Sequence, residues 1–135
     1  MDMEAWLSPI VRELLYTQPY VSFLLGRNGE FDECAASLIK RLRRSVGTEN
    51  SDMTLVLPYT VAAIPYYEAY YDAVMIPESA CRVHHKAAIF ARNRWMVEQS
   101  SLVLAYIEHP TGGAYAAMRY ALKINRRVIA TPGAL

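Results

Sequence analysis

Residues 20–44 read YVSFLLGRNGEFDECAASLIKRLRR, and the two halves of this stretch follow different periods. Residues 20–25 are a nearly continuous apolar run, the mark of a strand covered on both faces in a parallel sheet. After Gly26, Arg27, Asn28 and Gly29, the residues Phe31, Cys34, Ala35, Leu38, Ile39 and Leu42 recur with helical spacing along one face. Asp32 and Glu33 fall in the first turn of that helix and the arginines in its last, as the helix dipole favours.

The same alternation continues outward. Residues 53–57 (MTLVL) and 73–76 (AVMI) are short apolar strands stopped by Pro58 and Pro77, with a tyrosine-rich segment, residues 59–71, between them. A helix is expected over residues 86–99, a strand over 102–107 (LVLAYI), a small-residue helix after the turn at 109–113, and a last strand over 128–130. Ser8 and Pro9 suggest a helix start, which places an N-terminal helix at about 8–16. Strands alternating with helices give an α/β fold with right-handed crossovers. The expected form is one Rossmann-like three-layer domain over residues 1–135, with about five mainly parallel strands in the order 3-2-1-4-5 and helices on both faces.

The bulk numbers agree with one core. A chain of 135 residues buries roughly two-thirds of its unfolded surface. With 53% hydrophobic and 20% charged residues it has the composition of a folded globular protein. Fourteen basic and 13 acidic residues leave a net charge of +1, which supplies no field for duplex nucleic acid. The basic run from Lys40 to Arg44 is expected to be a solvated helix end. Two distant cysteines, Cys34 and Cys81, make no disulfide framework and fit a reducing compartment. The N-terminal residues carry no basic region and no apolar run reaches the roughly 18 residues of a membrane span, so a cytoplasmic protein without a membrane partner is expected.

Ligands of open α/β sheets bind beyond the carboxyl ends of the strands, where strand order reverses. In the order 3-2-1-4-5 that point lies between strands one and four, which run into Gly26-Arg27-Asn28-Gly29 and Thr111-Gly112-Gly113. Glycines ahead of a helix let backbone N–H groups converge on an anion. Arg27 adds a guanidinium, and Asn28 either caps the helix or reads a sugar hydroxyl. Each loop alone is also an ordinary turn. Pro58 and Tyr59, at the end of strand two, are further candidates for ligand contact. Neither the P-loop pattern nor G-x-G-x-x-G is present. Cys81, His84, His85 and His109 match no metal-site spacing, so neither metal nor cofactor is expected.

The segments GRNGEFDE, ARNRWMVEQSSLVLAYI and TGGAYAAMRYALKINRRVI together resemble the SLOG superfamily of Rossmann-like proteins. That superfamily includes the Lonely Guy enzymes, the DprA/SMF proteins and a bacterial YspA-like branch, to which the resemblance is closest. It implies a site for a nucleotide or nucleotide-derived ligand, phosphate-bearing and ADP-ribose-like, with Gly112 and Gly113 at the phosphate and Arg92-Asn93 as the branch's Arg-Asn pair. The Lonely Guy enzymes carry a glutamate in the helix after the glycine motif, where this chain has Ala114, Tyr115, Ala116, Ala117 and Met118.

The expected function is therefore binding or sensing of such a ligand at the ends of strands one and four. Two alternatives stand beside it. One is a nucleoside-phosphate N-glycosidase with Glu30 as the substitute acid, so the sequence leaves open whether this is an enzyme. The other is an interaction module that docks a partner, or a second copy as a homodimer, through Tyr66, Tyr67, Tyr70 and Tyr71.

Overall fold

Leu7, Val11 and Leu15 repeat at one-turn spacing, and in the computed structural model, which describes residues 2–134, they are the buried stripe of the first helix, α1 (Met3–Thr17). The helix start expected at Ser8 is corrected. Asp2 is the cap, its carboxylate accepting the Glu4 N–H at 3.3 Å, and Pro9 lies inside the helix. An interior proline removes a backbone hydrogen bond. Here the buried stripe on either side of Pro9 carries the helix through it.

The contacts of the chain divide it into two compact units. One holds the residues up to Val56 together with Val61–Met75; the other holds Leu57–Thr60 and the residues from Ile76 onward.

In the first unit, β1 (Val21–Leu25), β2 (Ser51–Val56) and β3 (Ala73–Met75) form a parallel sheet in the order β1-β2-β3. Val21 lies opposite Ser51, Leu25 opposite Leu55 and Thr54 opposite Ala73. The central strand is the driest part: Met53, Leu55 and Val56 are fully buried. Helix α2 (Glu30–Val46) joins β1 to β2, buries Ala35, Ala36, Leu38 and Ile39, and packs against α1. Glu4 and Arg41 pair between these two helices, and Trp6 and Phe31 meet with ring centroids 6.2 Å apart.

The expectation that the basic run at the end of α2 is a solvated surface is corrected at Arg43, which is buried. Its Nε donates to Ser51 Oγ (2.8 Å) and Nη2 to the Ser51 carbonyl (2.9 Å). Nη1 donates to Asp72 Oδ2 (2.9 Å), which also accepts the Met53 N–H (2.7 Å). A guanidinium can be buried when every side of its fork finds an acceptor, and this one does.

Residues 59–71 are also more ordered than a loop. Pro65 stands in the first turn of α3 (Ile64–Tyr70), a position where its missing N–H costs nothing, and Tyr71 caps the other end.

In the second unit, β4 (Leu102–Ala105) and β5 (Arg127–Ala130) pair in parallel, with Leu102 opposite Arg127. Helices α4 (Glu78–Cys81), α5 (His85–Gln99) and α6 (Gly112–Lys123) complete it, α5 packing on both α4 and α6. Asn125, at φ +62°, closes the end of α6, where the Arg126 N–H returns to the Ala121 carbonyl at 2.8 Å. The fold is thus α/β with parallel strands. The strands form two separate small sheets, β1-β2-β3 and β4-β5. Among the described residues, no helix is long and apolar enough to cross a membrane.

Candidate functional site

Two glycine-bearing loops open helices, and the chemistry of the two helix starts differs. Helix α2 begins with Glu30 and carries Asp32 and Glu33 in the same turn. Asp32 Oδ2 accepts the Asn28 N–H at 3.0 Å. The helix therefore meets its positive end with its own carboxylates. Gly29 is the cap in extended backbone (φ −169°), and a Cβ there would meet nothing within 4 Å, so nothing local demands a glycine. Asn28 and Glu30 are exposed, while Gly26 is buried at the strand end.

Helix α6 has no acid in its first turn, and its cap Thr111 makes no side-chain hydrogen bond to the helix. Gly112 stands at φ +90°, a backbone conformation that side chains disfavour. Of the two helix starts, this one has no acidic side chain at its positive dipole end.

Arg92 and Asn93 lie on α5. Arg92 is buried at 2% exposure, and its Nε donates to Asn93 Oδ1 at 2.8 Å. That bond holds the amide oxygen, which turns the Asn93 amide nitrogen toward α6: Nδ2 lies 3.6 Å from where a Gly113 Cβ would sit. Arg92 is thus interior, and the Asn93 amide nitrogen is the group nearest Gly113.

The loop leading to α6 is anchored from behind. Thr131 Oγ1 accepts the Ile107 N–H (3.0 Å) and donates to the Ile107 carbonyl (2.9 Å), and the Thr131 N–H reaches Ala105 (3.1 Å). Thr131 carried no signal in the sequence. Pro58 is buried, and Tyr59 stacks on His85 with ring centroids 3.9 Å apart, so one face of that ring is already covered. On the same helices Arg94 lies over the Tyr120 ring at 4.5 Å and Glu98 accepts the Tyr120 hydroxyl. Among the described residues, no three histidine, cysteine, aspartate or glutamate side chains gather as metal ligands would.

In the first unit, Arg27 follows β1 but turns to the tyrosines. Its guanidinium sits 5.0 Å from the Tyr67 ring centroid, and Nη2 is 3.4 Å from Glu33 Oε1. Lys40 lies over Tyr70 at 3.7 Å and donates to its carbonyl at 2.6 Å. Of the four tyrosines singled out from the sequence, Tyr66 is exposed, Tyr67 and Tyr70 are half-buried and Tyr71 is buried.

Burial pushes the Tyr71 phenol above its ordinary value, with Arg27 opposing. Hydrogen bonds to Asp52 and Glu98 raise Tyr20 and Tyr120 in the same direction. A phenol held neutral in the fold contributes stability that is complete below the unfolded value of about 10 and is lost as pH rises beyond it. Stability is therefore expected to fall above about pH 10, and Tyr71→Phe to flatten that limb in a pH series of urea midpoints. An unchanged slope in Tyr71→Phe would show that this phenol is not responsible.

No family model, no curated protein and no solved structure matches this chain.

Proposed function

We propose that this chain binds a nucleotide-derived ligand and seats its phosphate at the N-terminus of α6. The observation that carries the reading is the chemistry of that helix start: no first-turn acid, no side-chain cap, Gly112 at φ +90°, and the Asn93 amide held toward Gly113 by Arg92. Backbone N–H groups and an oriented amide are donors without a fixed acceptor, which is what a phosphate oxygen completes. Membership of the SLOG superfamily, with an ADP-ribose-like ligand, is part of the same proposal and rests on the quoted segments; so does the single five-strand order 3-2-1-4-5.

Thermal unfolding with ADP-ribose, NAD, cyclic nucleotides and nucleoside monophosphates tests it. At least one is expected to raise the midpoint, by the equivalent of about 2.7 kcal/mol at a hundredfold excess over Kd. Asn93→Ala should reduce that shift. Gly112→Ala should lower stability by about 1–3 kcal/mol, because an L side chain is strained at this φ. The reading fails if no compound shifts the midpoint, or if the shift survives Asn93→Ala intact.

A further inference from the structure

The tyrosine helix shapes a half-open cavity of about 300 Å³ within the first unit, at the lower end of small-molecule sites. Ala36 and Glu33 of α2 line one side, Tyr66, Tyr67 and Tyr70 the other, and Arg27 and Tyr71 also reach it. The Tyr71 hydroxyl is buried and has no hydrogen-bond partner, although the residue is only 4% exposed. Arg27 lies close enough to favour the phenolate. A guanidinium can only donate in any case, so the phenol's own proton would still lack an acceptor. A buried donor left in that state costs about 1–3 kcal/mol.

We propose that this cavity is a binding site for a small planar aromatic carboxylate. Two donors, the Tyr71 hydroxyl and the Arg27 guanidinium, call for one acceptor group with two oxygens. The rings of Tyr66, Tyr67 and Tyr70 call for a flat apolar body. The present partner of Arg27, Glu33, is held at 3.4 Å with its side chain 63% exposed, so a ligand carboxylate can take its place. Glu30, Asp32 and Glu33 in the adjoining turn select a singly charged carboxylate over a phosphate ester. This inference does not depend on the α6 site.

Isothermal titration of the full chain with 2-naphthoate is the test, with 2-naphthamide, acetate and 2-naphthyl phosphate as comparisons. 2-Naphthoate is expected to bind with a Kd of about 1 mM or tighter and the three comparisons at least about tenfold more weakly. Tyr71→Phe and Arg27→Lys should each weaken 2-naphthoate about tenfold, and Glu33→Gln should tighten it about threefold. Tyr71→Phe should unfold at the same temperature as the parent or higher, since it removes an unsatisfied group. Absence of 2-naphthoate binding, equal binding of the amide or the phosphate, or full affinity in Tyr71→Phe would each overturn the proposal.

Discussion

Replacing Asp72 by leucine is expected to lower the unfolding free energy by about 3 kcal/mol, although nearly half of its side chain is exposed. An isolated surface ion pair contributes about 1 kcal/mol or less. Asp72 differs because its partner is inside. The Arg43 side chain is 10% exposed, and with Asp72 gone its Nη1 would be left as a desolvated donor on a full charge. The Met53 N–H would lose its acceptor at the same time. Asparagine, which keeps an acceptor, should cost about half as much. Urea unfolding at pH 7 with an unchanged m-value would establish the figure. A loss below about 1 kcal/mol for Asp72→Leu would mean that Arg43 is hydrated after all.

Leu55→Ala is expected to have a comparable effect, about 3 kcal/mol within the usual range of 2–5. Leu55 is fully buried in the middle strand, opposite Leu25 on one side and Val74 on the other. With ladders on both sides the backbone has little freedom to close over the lost methyl groups, so the cavity term persists. Leu122→Ala, on the exposed side of α6, should stay within about 0.5 kcal/mol and serves as the control. If the two substitutions cost the same, β2 is not the core of its unit.

Much of the α/β pattern could be read from residue order. The apolar run before Gly26 and the helical spacing after Gly29 give β1 and α2 because burial on two faces and on one face leave different periods. The start of α1 was not legible: Ser8-Pro9 has the local chemistry of a cap, and only the burial of Leu7 with Val11 and Leu15 shows that the helix begins earlier. Arg43 was read as solvated because a periodic pattern reports apolar positions and cannot report that Ser51, eight residues on, and Asp72 will supply acceptors.

The candidate site was legible in part. Glycines before a helix are visible in sequence, and so are the acids that follow Gly29 and are absent after Gly113. Their meaning for an anion comes from setting the two helix starts side by side. That Arg92 would be interior and act through Asn93 could not be seen, because arginine on a helix is usually outside. The Tyr71 hydroxyl was hidden for the same kind of reason. Four similar tyrosines in a row give no hint which one will be sealed from water.

The path of the chain between the units limits how this protein can be cut. Leu57–Thr60 belongs with the residues beyond Ile76, whereas Val61–Met75 belongs with those before Val56. No one scission separates the units cleanly. A truncation ending at Met75 keeps a tetrapeptide whose packing partners are gone, and the complementary fragment lacks Tyr59, the ring that covers His85. Of the two half-length products, only the C-terminal one should therefore lack part of its own unit, while the N-terminal one carries that part without its partners.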